Sequence, residues 1–318
     1  MAVLTPRRAE LWGPRASVRV GLDIGGTKID GVALGPGDEV LATARHPSPG
    51  GVVDVVSTVA ALVADLVGDS PLPVAVVGIG IPGLVDPVAG TVRSAVNLGF
   101  GPEPVALADL VSRAVGGVPV VVENDVKATA LGAHAVLGGD LTLVSLGTGL
   151  AAAIVIDGRV LRGASGAAGE IGHLALDRDG HLCGCGQRGC LETIASGAAL
   201  RREWPHGDEG RSAVHLFAAA EAGDPAAVGV RDRWAAAVAL AVRTLALTAD
   251  SGTVVLAGGV AALGEPLLRS VSAALRQQAA GSPFLRGLAL HDRLVLLPGD
   301  RPVAAIGAAN LCRVEAAR

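Results

Sequence analysis

Three of the four cysteines, Cys183, Cys185 and Cys190, fall within one short stretch, and His173 stands upstream of them. Thiolates and an imidazole at loop spacing are the donor set of a tetrahedral zinc site, and four protein ligands would make it closed and structural. Gly184, Gly186 and Gly189 let the backbone turn tightly enough for the sulfurs to converge. His181 is a rival fourth ligand, but only Leu182 separates it from Cys183. His173 can return from a separate turn and is the expected ligand. The competing reading, a disulfide or buried thiols, meets two obstacles: Cys183 and Cys185 are too close for an easy bridge, and an intracellular chain keeps thiols reduced. Cys312 stands apart and reads as a small core residue. Glu170 and Glu192 bracket the cluster, so a metal knot would hold two carboxylates in fixed relation.

A second chemistry is suggested by Asp23-Ile-Gly-Gly-Thr-Lys28. Small residues at a hairpin turn let backbone N–H groups approach phosphate oxygens. Asp23, at a strand end, could hold Mg²⁺ through water, while Gly25, Gly26, Thr27 and Lys28 meet phosphates. Taken alone, the turn reads equally well as an ordinary glycine hairpin. It is neither a P-loop nor a dinucleotide fingerprint, because a strand follows it and the GxxxxGK spacing is missing. Gly147-Thr148-Gly149 repeats the device, which favours a two-sided phosphate clamp. Gly258 and Gly259 close a strand in a turn suited to an adenosine face, or serve as a plain strand-ending turn. Glu123-Asn124-Asp125 sits between an apolar strand and a helix. Asn and Asp there read as helix caps, and also as groups at a strand end where a carboxylate can take a hydroxyl proton.

The elements that must position these residues alternate between strand and helix. Strands are expected at 17–24, 28–34 and near 40–46, a helix at 52–67, a buried strand at 73–81, a helix at 107–115 and a strand at 118–122. The pattern then restarts: helix 126–136, strand 141–146, strand 151–156 after the Gly147–Gly149 turn, and a hairpin turn at Asp157-Gly158. Helices follow at 197–203, 212–222 and 225–249, then a strand at 253–256, a helix at 265–279, a strand at 294–297 and a last helix at about 303–315. Two α/β halves, each opening on a hairpin around a Gly/Thr turn, imply an approximate internal duplication. The expected division is a loose tail over 1–16, one domain of 17–122 plus 303–318, and a second of 123–302 carrying the metal loop.

Composition sets further bounds. Half of the 318 residues are hydrophobic, but aromatics make up 2%, with no Tyr and a single Met, so Val, Leu, Ile and Ala must build the core. A net charge of −4 gives no electrostatic footprint for nucleic acid. No signal peptide and no membrane span is expected, which makes the cytoplasm the default location.

The run Gly169-Glu-Ile-Gly-His173, followed by CGCGQRGCLE over 183–192, resembles the signature of the ROK family of bacterial sugar kinases and sugar-responsive repressors. The resemblance covers nearly the whole chain, from about Val18 to Ala309. It implies a two-domain α/β actin-like ATPase (ribonuclease H-like) fold with the active site in the interdomain cleft. It implies ATP-dependent phosphorylation of a hexose, with glucose at its 6-hydroxyl the preferred acceptor, and ATP, Mg²⁺ and Zn²⁺ as cofactors. An N-acetylhexosamine or fructose kinase is the alternative within the family. A sugar-sensing regulator is the rival outside catalysis, but the 22 residues ahead of Asp23 are too few for the added helix-turn-helix. The family's base falls on Asp125 and its sugar contacts on Gly83, Asn97, Asn124, Glu170, His173 and Glu192. Its nucleotide turns fall on Asp23 and Gly25–Lys28, Gly147–Gly149, and Gly258-Gly259. A homodimer or homotetramer is implied, with no nucleic-acid or membrane partner. Two departures stand out. Lys127 replaces the Asn that usually follows the END motif, and Leu150-Ala-Ala-Ala153 replaces a glycine-rich run.

Overall fold

A computed structural model describes residues 17–68, 70–207 and 211–312. The tail expected over 1–16 and the end of the last helix expected over 313–315 lie outside these. Packing divides the chain into two compact units. The first runs through Gly138, takes up Gly158–Val160 and resumes at Pro298; the second holds Gly139–Asp157 and Leu161–Leu297.

In the first unit, β1 (Val18–Ile24), β2 (Lys28–Leu34) and β3 (Val40–Pro47) form an antiparallel meander. Helix α1 (Val52–Val67) follows, then β4 (Val74–Ile81), a short hairpin of β5 (Leu84–Asp86) and β6 (Thr91–Arg93), α2 (Leu107–Ala114), β7 (Val120–Asn124) and α3 (Asp125–Leu137). The sheet order is β3-β2-β1-β4-β7, with β4 parallel to both β1 and β7. Helix α1 has the periodicity of a one-sided helix: Val55, Val59, Leu62, Val63 and Leu66 are buried. They join Val20, Leu22, Ile24 and Ile79 in one core with Leu107 and Val111 of α2.

The second unit opens with β8 (Leu141–Leu146) and β9 (Leu150–Ile156); β10 (Arg159–Val160), past the Asp157-Gly158 turn, lies in the short segment counted with the first unit. Both turn residues have positive φ, 51° and 70°, as a tight two-residue hairpin requires. After the cysteine loop come α4 (Glu192–Ala195), α5 (Gly197–Glu203), α6 (Ser212–Glu221), α7 (Pro225–Ala249), β11 (Thr253–Ala257), α8 (Glu265–Ala279), α9 (Pro283–Leu288) and β12 (Leu294–Leu296). Pro225 opens α7, and the Asp224 side chain caps it by accepting from the N–H groups of Ala226 and Ala227. The order β10-β9-β8-β11-β12, antiparallel between β8 and β9 and parallel from β8 to β11 to β12, repeats that of the first sheet. Trp234, Val238 and Val242 of α7 pack with Leu146, Val254 and Leu256 in this unit's core. Among the described residues no helix is long and apolar enough to cross a membrane.

Helix α10 (Val303–Ala309) returns to the first unit and crosses α3. The crossing is backbone to backbone. A β-carbon at Gly132 would lie 1.8 Å from the Val303 carbonyl oxygen, and one at Gly307 would lie 1.8 Å from that of Ala128. This packing puts α3 in the first unit, whereas the sequence reading had given 123–137 to the second. Strand β7 continues through Glu123 and Asn124, which keep their register with Gly80 and Ile81. The β5–β6 hairpin and α9 were not expected at all.

Candidate active site

In the first unit the chemistry gathers at the carboxyl ends of the parallel strands. Asp23 of β1 pairs in register with Gly80 of β4, and Gly80 with Glu123 of β7. A β-carbon at Gly80 would lie 3.0 Å from Ala128 Cβ, 3.6 Å from Asp125 Cα and 3.8 Å from Asp23 Oδ1, so a side chain here would crowd the space beside both acids. Burial, reinforced by the negative charges of Asp125 and Asp30, raises the Asp23 carboxyl to about pH 7 against the pull of Lys28. Asn124 caps α3, its Oδ1 accepting from the N–H groups of Val126 (3.1 Å) and Lys127 (3.3 Å). The cap commits the amide oxygen and leaves the NH₂ group to donate elsewhere. Asp125 is the first helical residue, and its Oδ1 accepts from Val126 N–H at 2.9 Å. Glu123, 2% exposed, accepts the Asn124 N–H. Lys127, the departure from the family pattern, is 5% exposed and packs into the interior of the unit.

The first glycine turn is held from behind. Gly25 N–H donates to the Lys28 carbonyl, Ser48 Oγ to the Gly25 carbonyl and Ser48 N–H to the Thr27 carbonyl. Gly26, Thr27 and Lys28 remain exposed. Lys28 pairs with Asp30 at 2.9 Å, two residues on along the same face of β2, and Arg45 pairs with the same carboxylate. These ion pairs and side-chain bonds hold Asp30 below its ordinary range although burial works the other way. Asn97 lies against the turn: a β-carbon at Gly26 would sit 3.1 Å from Asn97 Cβ. Gly83 follows β4 at φ 103°, where a side chain would meet the Arg93 carbonyl at 2.7 Å.

In the second unit the four predicted metal ligands converge. The donor atoms of His173, Cys183, Cys185 and Cys190 all lie within 4.8 Å of one another. Cys185 Sγ is 3.6 Å from Cys190 Sγ, and Cys183 Sγ is 3.7 Å from His173 Nδ1. Zinc–sulfur bonds of ~2.3 Å in a tetrahedron place sulfurs ~3.7 Å apart, so the donor set fits a zinc ion by both chemistry and spacing. The loop is built for this convergence. Cys183 N–H bonds the Gln187 carbonyl, Gly186 N–H the Cys183 carbonyl, and Ala175 bridges to Cys190. Without a metal, burial pushes the Cys183 thiol up to about 12 and raises that of Cys190. The backbone N–H of Gln187, then its side-chain amide, draws the exposed Cys185 down to about 6. His181 stays outside the cluster; its carbonyl accepts Gly189 N–H.

Glu192 connects this knot to the second glycine turn. Its Oε1 accepts from Cys183 Sγ at 3.0 Å and lies 3.8 Å from His173 Nδ1. Its Oε2 faces Leu150 N–H at 3.4 Å, and a β-carbon at Gly149 would come within 2.7 Å of it. Glu170 is exposed, immediately ahead of the short turn Ile171–His173. The Gly147–Gly149 turn is gripped from α5: Gly197 N–H donates to the Gly147 carbonyl and Ala198 N–H to that of Thr148. Gly258 abuts the end of β8, where a β-carbon would meet the Leu146 carbonyl at 2.6 Å. The Leu150–Ala153 departure is absorbed locally. Gly169 makes the close approach to the Ala152 carbonyl, and Ala152 and Ala153 are both buried on β9.

Ser48, Gly197 and Ala198 were missed by sequence reasoning. Their partners are remote along the chain, and nothing local marks them. The Lys28–Asp30 pair was detectable, because residues two apart on a strand share a face.

The model of the ROK family matches residues 19–312. The chain is 33% identical to a glucokinase of Streptomyces coelicolor, over 92% of its length and 97% of that protein's. The crystal structure of a ROK hexokinase from Thermus thermophilus superposes with a TM-score of 0.78 at 32% identity, covering 94% of this chain and 98% of that one. A ROK family glucokinase from Streptomyces griseus, in complex with glucose and AMPPNP, gives 0.73 at 32% identity, covering 93% and 99%. With the family signature, the twin sheets and these likenesses in agreement, the chain belongs to the ROK family and has the two-domain actin-like ATPase fold.

Proposed function

We propose that this protein is a sugar kinase that transfers the γ-phosphoryl group of ATP to the 6-hydroxyl of glucose. The observation that carries the reading is the pair of carboxylates, Asp23 and Asp125, at the carboxyl ends of β1 and β7 beside an exposed glycine turn, in a chain related to a glucokinase with glucose and AMPPNP bound. Asp125 accepts the proton of the sugar hydroxyl as its oxygen bonds to the γ-phosphorus and the bond to the ADP oxygen breaks. Asn124, its oxygen committed to the helix cap, donates through its amide to a neighbouring hydroxyl. Asn97 and the Gly83 turn complete the sugar contacts of the first unit; Glu170, His173 and Glu192 supply those of the second. Gly25–Lys28 and Gly147–Gly149 offer backbone N–H groups to phosphates, and Gly258-Gly259 a flat face to adenosine. Asp23 would hold Mg²⁺, which when bound offsets phosphate charge. His173, Cys183, Cys185 and Cys190 would hold Zn²⁺, which closes the loop as a structural centre. We place the enzyme in the cytoplasm, where MgATP is available and cysteine thiols stay reduced.

The test is sugar-dependent ADP release by the purified protein with MgATP, over glucose, mannose, fructose, N-acetylglucosamine and N-acetylmannosamine. Glucose should give the highest kcat/KM. A lead of about tenfold for an acetylated sugar, ~1.4 kcal/mol in transition-state binding, replaces the assignment with a hexosamine kinase. Sugar binding without ADP release from any member of the panel would overturn the kinase reading.

A further inference from the structure

Three arginines line one cavity of about 330 Å³ in the second unit, where Arg243 of α7, Arg276 of α8 and Arg286 of α9 meet His291. Leu275 and Leu290, both buried, form its apolar wall together with Leu285. No aspartate or glutamate is among its lining residues. Among the described residues the guanidinium groups of Arg243 and Arg276 make no ion pair or hydrogen bond. Arg286 spends one nitrogen, Nη1, on the Ala280 carbonyl at 2.5 Å, and His291 Nε2 stands 3.5 Å from Asp292.

A neighbouring cavity of about 400 Å³ provides the contrast. Its two arginines each have a lining carboxylate: Arg269 pairs with Glu221 at 3.1 Å and Arg231 with Asp232 at 2.8 Å. The first cavity is different. Its three guanidiniums repel one another across a partly apolar space, in a chain whose net charge is −4. The occupant that relieves this repulsion is an anion. Guanidinium forks match phosphate oxygens two at a time, and the volume with its leucine wall suits a compact organic body rather than a bare ion.

We propose that this cavity binds a compact phosphate monoester. The site lies at the far end of α8 from the Gly258-Gly259 turn and stands independently of the kinase reading. Glucose 6-phosphate serves as the probe, titrated calorimetrically with saturating glucose present so that any sugar site is already filled. Inorganic phosphate and further glucose are the control titrants. Glucose 6-phosphate should bind, weaken as salt is raised, and lose about tenfold in affinity in Arg243→Gln and again in Arg276→Gln. Leu285→Glu, which places a carboxylate on the wall, should abolish binding. Glucose affinity and the Tm of the free protein should stay at the parent values in all three variants. Equal affinity in parent and variants overturns the site, as does the lack of binding by the probe at millimolar concentration. Inorganic phosphate binding as tightly as glucose 6-phosphate overturns its assignment to an organic ester.

Discussion

Asp23 and Asp125 lie close enough beside Gly80 that the charge of one raises the carboxyl of the other, and a β-carbon at Gly80 would crowd both residues. The first consequence is electrostatic. Burial and the Asp125 charge move the Asp23 carboxyl from 3.8 to about 7, so in the metal-free protein it is about half protonated at neutral pH. Such a pair destabilises the resting fold, and it persists at sites where a cation is to be held.

Asp23→Asn should therefore stabilise the protein while abolishing turnover. The folded state holds a proton that the unfolded chain releases between pH 3.8 and about 7. The stability is fully present below the lower value and is lost as pH rises through the upper one. A shift of this size is worth ~4 kcal/mol in full; solvent reaching the half-buried group leaves about 1–2 kcal/mol. The variant's Tm should exceed the parent's at pH 8 and match it at pH 4. In the parent, activity should fall as pH drops through about 7 at low Mg²⁺ and recover when Mg²⁺ is raised. A variant less stable than the parent at pH 8 would mean that Asp23 holds the strand end together.

Asp125→Asn should lower kcat by roughly 10²–10⁴-fold and leave glucose affinity within a few-fold of the parent. The amide keeps the bond to the Val126 N–H but cannot accept a proton. Near-normal turnover in a rapid-quench assay would remove Asp125 from the chemistry.

The crossing of α3 and α10 makes the first unit sensitive to single methyl groups. Gly132→Ala would drive a β-carbon to 1.8 Å from the Val303 carbonyl oxygen and 2.9 Å from Gly307 N. The expected loss is about 3 kcal/mol or more in urea unfolding, since neither helix backbone can yield. Gly229→Ala, early in α7, meets only the Arg233 Nη1 at 3.4 Å and should stabilise by ~0.5–1 kcal/mol. A Gly132→Ala protein as stable as the parent would show that the two helices can separate at little cost.

Periodicity carried most of the fold, and loop spacing carried the convergence of His173 with the three cysteines, because both signals are local. Helix α1 came out at its observed limits from the spacing of Val and Leu, and α7 from its long Ala-rich run. Where partners are distant, the sequence was silent. Gly132 has no meaning until Gly307 arrives at the other end of the chain, so α3 went to the wrong unit. Strand β7 was ended at the last apolar residue, but backbone pairing to Gly80 and Ile81 continues whatever the side chain, and carries Glu123 and Asn124 to the strand end. The alanines at 151–153 stood out as a departure from a glycine-rich run, and the close backbone approach in this region is made by Gly169, outside that run.

Glu192 presents its two oxygens to different structures. Oε1 accepts from Cys183 Sγ at 3.0 Å, and Oε2 faces the Leu150 N–H beside Gly149. A zinc-bound thiolate has no proton to give, so loading the metal releases Oε1 for another donor, and a sugar hydroxyl is the donor we expect. Glu192→Gln should then raise the KM for glucose about tenfold or more, since hydrogen bonds to a charged group are worth ~1.5–3 kcal/mol, while one zinc per chain is retained. Cys185→Ser should lower both zinc content and glucose affinity, and chelation of the parent should weaken glucose binding until Zn²⁺ is restored. Cys312→Ser, in the first unit, should change neither. The four measurements separate the roles. If Glu192→Gln loses zinc along with affinity, the carboxylate supports the metal and does not meet the sugar. If the chelated protein binds glucose as the parent does, the knot does not position Glu192 at all.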